Sequence, residues 1–332
     1  MLEIGTRLVS ALRRSMVFPS NHSASTVGAK NGDLKDTKLY DLLIALLTSN
    51  IDLSLVEDVC IGNVLAVGQD YIARSAVLAA RLFPVSTTTT IANRFCTSGL
   101  LAAQNIANQI IAGSIDTDLA IDAESMSMPD DGAPVMGEKI TGHPVAEFRV
   151  AREAIDQFAA TYFQRAEKVQ KEKWVDDEIV PINVQVKDAN EVSREVALDR
   201  DDGKITDGAS AVLPMKRSRA QKLGQPIVGK FYGATVVGLN PKIGIGPSLA
   251  MPKILSKCGL HKDDIDVFVI TEAFASMGVY CIEHLGLDPS KVNPRGGGVL
   301  EMELRRYLNQ SRSESLLVSK GIEMWCFLSP VV

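Results

Sequence analysis

Apolar positions along the chain switch between two periods. "TKLYDLLIALL" (38–48) carries leucines at helical spacing, "EDVCIGNVLAVG" is a β-rich run ended by glycine, and "DYIARSAVLAARLF" is amphipathic again until Pro84 stops it. "STTTTIA" predicts a strand. Cys96 follows it, and then a helix with Leu100, Ala103, Ile106, Ala107, Ile110 and Ile111 on its apolar face and Gly113 placed as its cap. "TDLAIDAES" reads as another buried strand. Strands alternating with helices of this length predict an α/β fold whose largely parallel sheet is covered on both faces.

From about 126 to 205 the pattern changes. "SMPDDGAPVMGEKITGHPV" is loop chemistry, "AEFRVAREAIDQFAATYFQRAEKVQKEKW" is a charged helical segment with one apolar side, and "NVQVKDANEVSREVALDRDDGKITDG" is strongly polar. This reads as an inserted loop domain lying on the main body outside its sheet. The charge run "QRAEKVQKEKW" reads as a solvated helix face. The α/β pattern resumes with "ASAVLPMKRSRAQKLG", the strand "GKFYGATVVG", the helix "PSLAMPKILSKCGL", and "DDIDVFVITEAFASMGVYCIEHLG". "DLSLVEDVCIGNVL" and "HKDDIDVFVITEAF" both run from an acidic turn into a buried strand, an echo that suggests two similar halves. The expected division is 1–218 and 219–332. After about 298 the text turns charged and loses its periodicity.

Composition narrows the function. With 332 residues and 46% hydrophobic content the chain can bury a large core, and 5% aromatics suits α/β layers better than an all-β sandwich. A net charge of -5 with no basic stripe argues against nucleic acid as a partner. No apolar run reaches the length of a membrane span. Cys60, Cys96, Cys258, Cys281 and Cys326 show no C-x-x-C spacing, and His22, His143, His261 and His284 are dispersed, so neither a disulfide framework nor a metal site is expected. The Arg-containing start "MLEIGTRLVSALRRSMV" includes Glu3 and a strand-like "RLVSAL", and "SPVV" is not a peroxisomal tripeptide. The ends do not declare a compartment.

Cys96 is the chemical candidate. A cysteine at a helix start feels the positive end of the helix dipole and unpaired backbone N–H groups, which favour the thiolate and can also hold an oxyanion. Gly99 would allow close approach of a substrate or backbone. Local physics leaves two readings open, a nucleophile or a small residue at a tight corner.

"NRFCTSGLLAAQNIANQIIAGSIDTDLAIDAESMS" resembles the active-site cysteine segment of the thiolase family, where Asn-Arg-x-Cys-Ser-Ser-Gly-Leu leads into a buried helix and a strand ending in Glu-Ser-Met. "EDVCIGNVLAVG", "ITDGASAVLPMKRSRA", "GIGPSLAMPKIL", "DIDVFVITEAFAS" and "KVNPRGGG" resemble further family segments, collinear from about 8 to 298, roughly nine-tenths of the chain. The wording is most similar to the peroxisomal type of 3-ketoacyl-CoA thiolase.

The resemblance implies a thiolase fold, two βαβαβ-type halves layered α-β-α-β-α, with the C-terminal half incomplete after about 298 because it lacks strands that the family's sheet uses, which leaves edges exposed. It implies thiolytic cleavage of a 3-ketoacyl-CoA to acetyl-CoA and a shortened acyl-CoA, with Cys96 carrying the acyl group. Coenzyme A is then a co-substrate with no permanently bound cofactor, the protein is a homodimer, and the compartment is the peroxisome, with mitochondrial or cytoplasmic alternatives. Several family features are altered. Thr271 in "TEAFA" occupies the usual position of an asparagine that orients an oxyanion-hole water. No Gly-His-Pro histidine loop follows "NPRGGG", and the Gly142-His143-Pro144 triplet lies in the insertion. The family's second cysteine sits in a Cys-x-Gly-x-Gly turn, whereas the late cysteine here is Cys326 in "MWCFLSP". The Gly-Asn-Ser loop before "DGASAVL", which helps seat pantetheine, is missing. These departures imply an alternative, a catalytically inactive CoA-thioester binder or dimer partner. His261 and His284 are expected to be surface or packing residues.

Overall fold

A computed structural model describes residues 33–47, 53–64, 69–80, 84–125, 127, 150–174, 179–187, 192–200, 207–225, 227, 229–238, 245–270 and 274–296. For 15–16, 20–23, 187, 315–318 and 323–329 it describes the backbone alone. The first half runs β1 (Ser15–Met16), β2 (Ser20–Ser23), α1 (Leu39–Leu47), β3 (Asp58–Gly62), α2 (Gln69–Ala79), β4 (Thr88–Ala92), α3 (Ser98–Ala112) and β5 (Leu119–Ser125). The segment expected to be inserted holds α4 (Arg152–Lys171), β6 (Ile179–Val180), β7 (Ile182–Lys187) and β8 (Ser193–Leu198). Next come β9 (Asp207–Val212), β10 (Met215–Lys216), α5 (Arg217–Leu223), β11 (Lys230–Val237), α6 (Gly246–Cys258), β12 (Val267–Ile270) and α7 (Ala275–Leu285). The tail adds β13 (Ser315–Val318) and β14 (Glu323–Ser329).

The first sheet has the order β4-β3-β5-β9-β2-β6, with β3 parallel to β4 and β5, and β9 antiparallel to β5 and β2. Side-chain alternation gives it two apolar faces. Val59 and Ile61 of β3, with Leu119, Ile121 and Ala123 of β5, pack against the leucines of α1 and Ala73, Ala76 and Val77 of α2. The intervening Cys60 and Ala120 face Ala102, Ala103, Ile106 and Ile110 of α3. The other side of α3, through Leu100 and Ala107, meets Phe231 and Ala234 of β11 and Val269 of β12. Phe268 and Ile270 of β12 face the opposite way, onto Met251 and Ile254 of α6 and Met277 and Cys281 of α7. The layers are therefore helix, sheet, helix, sheet, helix, as expected. The sequence echo is structural too: each copy is a helix, a 3-10 turn (Leu53–Leu55 or Lys262–Asp264), a buried strand and a second helix.

Three features differ from the sequence reading. The second sheet has the order β11-β14-β13-β12, so its two central strands come from the tail after 298 that was expected to leave the half unfilled. The polar stretch from 182 is an antiparallel hairpin, β7 with β8, and Ile182, Val184 and Leu198 join the main core. Ile179–Val180 also adds a parallel strand at the edge of the first sheet, so the insertion is not wholly outside it. The strand-like "RLVSAL", the triplet at His143 and the deletion before "DGASAVL" lie outside the described residues.

Helix α4 docks on the second half. Phe158 and Tyr162 stack and pack with Val279, and the Tyr162 hydroxyl donates to the Val292 carbonyl at 3.0 Å. Arg165 donates to the carbonyls of Val292, Asn293 and Pro289. Its charged face is the solvated surface expected: Lys171 pairs with exposed Glu167, and Lys168, exposed as well, sits over the exposed Trp174 ring.

Candidate active site

Cys96 stands in the corner between β4 and α3, at the carboxyl end of the parallel strands, and is half-buried. Its predecessor Phe95 has φ 51, a left-handed conformation that a bulky side chain rarely adopts. The corner is knotted by short-range bonds on both sides of the cysteine. The Arg94 N–H donates to Ser98 Oγ at 2.9 Å, and the Ser98 hydroxyl donates to the Phe95 carbonyl at 2.5 Å. The Thr97 hydroxyl and N–H both donate to the Arg94 carbonyl. Thr97 and Ser98 are fully buried.

Because Thr97 makes no side-chain cap at the start of α3, the N–H groups of Gly99 and Leu100 have no partner within the helix. The dipole of this 15-residue helix adds its positive end at the same place. Close packing requires the glycines. A Cβ on Gly62 would come within 2.5 Å of the Gly99 nitrogen, and one on Gly99 within 2.6 Å of Asp122 Cβ. The helix start is thus pressed onto the ends of β3 and β5. Cys96 precedes, by two residues, the positive end of a helix dipole and its helix-start N–H groups, a setting that in general favours a thiolate.

A buried polar group missed in the sequence reading supports the corner. Glu124, at the end of β5, accepts the Val64 N–H at 2.9 Å and Asn63 Nδ2 at 3.3 Å. Asn63 also donates to the Ala123 carbonyl at 2.7 Å, and its N–H reaches the Ala92 carbonyl. Asn93 donates to the Val64 carbonyl and accepts the Phe95 N–H, each at 3.1 Å. The Asn-Arg pair and the Glu-Ser-Met ending were visible as motif letters, but nothing in the letters says they bond across three strands.

Of the other candidates, Thr271 lies outside the described residues. The residue before it, Ile270, is clamped by Asn293, whose amide accepts the Ile270 N–H at 2.8 Å and donates to its carbonyl at 2.7 Å. Cys326 has its backbone in the middle of β14, opposite Ala234 and Leu317, and not in a turn. His261 caps a 3-10 turn beside Asp263, and His284 stacks on Tyr280, both away from the Cys96 corner in the fold. Among the described residues no group of His, Cys, Asp and Glu has metal-ligand geometry.

Residues 21–146 match the family model of the thiolase N-terminal domain, and residues 225–300 that of the thiolase C-terminal domain. With the layered fold and a cysteine at the start of its central helix, the chain belongs to the thiolase family. It is 38% identical over 337 residues to the peroxisomal 3-ketoacyl-CoA thiolase of Yarrowia lipolytica, a match covering 86% of this chain and 81% of the relative. To the peroxisomal 3-ketoacyl-CoA thiolase of Homo sapiens it is 36% identical over 323 residues, 82% and 76% of the two chains. The dimeric peroxisomal thiolase of Saccharomyces cerevisiae superposes with a TM-score of 0.82 at 30% identity, covering 96% of this chain and 97% of that one. That yeast enzyme is a five-layered α-β-α-β-α structure built from two core domains of identical topology.

Proposed function

We propose that this chain is an acetyl-CoA C-acyltransferase that cleaves 3-ketoacyl-CoA, with Cys96 as the acyl-accepting nucleophile. The observation that carries the reading is the strand–cysteine–helix corner, with helix-start N–H groups and glycine-tight packing, in a chain similar along most of its length to peroxisomal 3-ketoacyl-CoA thiolases. The Cys96 thiolate adds to the 3-keto carbon, and the bond between that carbon and the α-carbon breaks. Its electron pair stays on the acetyl-CoA fragment, which takes up a proton. A second coenzyme A then attacks the acyl-cysteine and leaves as the shortened acyl-CoA, returning the thiol. Helix-start donors stabilise the oxyanion of the additions, a contribution typically worth about 10²–10³ in rate per donor. Thr271 supports the site as a hydroxyl at the family's oxyanion position, and Cys326 is its candidate second cysteine. Coenzyme A acts as a co-substrate.

The names of the relatives support a peroxisomal location and a role in fatty-acid β-oxidation. The dimeric yeast relative supports a homodimer, as does β4, which has β3 on one side and an open edge on the other among the described residues. We divide the chain into halves at about 218, with a loop domain at about 126–205.

One observation favours a second reading. Directly after "NPRGGG" the sequence reads "VLEMELRRYL", with no histidine where the resemblance places the base, and a lost general base typically costs about 10²–10⁴ in rate. A non-catalytic CoA-thioester binder or dimer partner fits that departure. Mass spectrometry of the chain after incubation with acetyl-CoA or a 3-ketoacyl-CoA, beside Cys96→Ala, separates the two. An acyl group on the Cys96 peptide, absent from the variant, is the expected result, and release of that group by free coenzyme A extends it to turnover. A folded protein that never acylates leaves the binder as the better reading.

A further inference from the structure

We infer that Asn93 is a positioning residue for Cys96. It holds the left-handed turn at Phe95 on which the nucleophile stands and ties that turn to the buried carboxylate of Glu124. The inference rests on the reading of Cys96 as nucleophile.

Phenylalanine at φ 51 does not stay there unaided, because Cβ crowds the backbone in that region. Its side chain supplies little restraint, being 54% exposed. The restraint comes from the backbone. Asn93 Oδ1 accepts the Phe95 N–H at 3.1 Å, closing a turn two residues on, while Nδ2 of the same amide donates to the Val64 carbonyl at 3.1 Å. Val64 is held in its turn, because its N–H, on the preceding peptide unit, donates to Glu124 at 2.9 Å. Asn63, fully buried, spans the same level, with its amide on Ala123 and Glu124 and its N–H on Ala92. The ends of β3, β4 and β5 are thereby locked together, and Asn93 is the link from that lock to the corner.

The amide is suited to this place. Aspartate would accept from Phe95 but could not donate to the Val64 carbonyl, and alanine would do neither. Without the link, Phe95 can relax toward negative φ, which turns the chain entering α3 and moves Cys96 relative to the N–H groups of Gly99 and Leu100. Displacement on the ångström scale is enough to slow a reaction about 10²-fold.

The test uses the full chain as wild type, Asn93→Ala and Asn93→Ala/Phe95→Gly. Two rates are read by peptide mass spectrometry. The first is alkylation by iodoacetamide, in which the thiolate forms the S–C bond and iodide leaves. The second is acetylation by acetyl-CoA, in which the thiolate takes the acetyl group and coenzyme A leaves as its thiol. Cys258, half-buried on α6, is the internal reference for general loosening. Asn93→Ala is expected to slow both reactions at Cys96 by roughly 10- to 100-fold. Labelling of Cys258, and the acetyl-CoA concentration for half-maximal acetylation, should stay within about twofold. Glycine adopts positive φ without penalty, so the double variant is expected to recover most of the loss. Equal Cys96 rates in wild type and Asn93→Ala overturn the inference. A parallel change at Cys258, or a double variant no faster than the single one, does the same. Wild-type protein that alkylates but never acetylates refutes the nucleophile reading instead, and the alkylation rates still judge Asn93.

Discussion

At the scale of residues, two cysteines beside one helix show how position decides chemistry. Cys60 points from β3 toward α3 and is buried, and that burial, with Asp58 and Asp118 nearby, pushes its thiol up to about 12 in spite of a bond from Asn105. It stays a protonated thiol at physiological pH. Cys96 sits half-buried at the start of the same helix, at the positive end of its dipole. The sequence carried this distinction only as the strand–Cys–helix corner; the fate of Cys60 depends on packing that no motif spells out. The same holds for Asp118, which is fully buried before β5. Its Oδ1 accepts the Asp58 N–H at 2.7 Å while Oδ2 has no partner. Burial, reinforced by the Asp58 and Glu57 carboxylates, raises it to about 8 from 3.8. The folded protein keeps this proton between about pH 4 and 8, where the unfolded chain has lost it. Stability contributed at this group is therefore full at the acid end, falls as pH rises through that window, and levels off above it. The slope is about 1.4 kcal/mol per pH unit. Asp118→Asn removes the titration, so urea unfolding compared at about pH 5 and about pH 7 should lose up to roughly 3 kcal/mol of pH dependence. An unchanged difference would mean the carboxyl is ionised in the fold.

At the scale of elements, most helices and buried strands were legible because burial imposes a period. α1, α2, α3 and β5 fall where the apolar spacing put them, and Gly113 ends α3 with φ 83. The β7–β8 hairpin was not legible, since its alternation "NVQVK" and "REVAL" lies in a polar stretch, and only Ile182, Val184 and Leu198 of it are fully in the core, with Val186 and Val196 packed against them half-buried. β13 and β14 were hidden for another reason. Their letters depart from the family text, yet a strand needs only a backbone that completes the ladder between β11 and β12. The element contact that matters most to the site is α3 on β3. Gly62 closes it, and an added Cβ would meet the backbone of Ser98 and Gly99 at 2.5 Å, which no side-chain rotation can relieve. Gly62→Ala should therefore push α3 off the sheet. We expect a loss of about 1–3 kcal/mol in urea unfolding, together with slower acylation of Cys96 in the folded fraction. Wild-type stability and acylation in this variant would show that the helix has room to shift.

At the scale of the whole molecule, the layers bring the Cys96 corner and the open strand β4 to the same side of the first sheet. β4 is short, with exposed Thr88 and Thr90, and its outer edge is unpaired among the described residues. Exposed apolar groups flank it: Phe95 beyond its end, and Val85 before its start at 80% exposure. An edge of this kind either is blunted or finds another strand. A second copy of β4 is the natural partner for a homodimer, and it would bring each Phe95 turn, next to Cys96, close to the other subunit. The hydrogen-bond directions provide a clean test. The Thr88 N–H points inward, donating to the Glu57 carbonyl, so by strand alternation the Thr89 N–H points to the open edge. Proline at 89 removes an outward donor and leaves the β3 ladder intact, as proline is tolerated on such edges. We expect the wild-type chain to sediment as a dimer. Thr89→Pro should sediment as a monomer with an unchanged circular-dichroism spectrum, and should acylate Cys96 more slowly because the Phe95 turn has lost its cover. A Thr89→Pro variant that remains dimeric would place the subunit contact elsewhere.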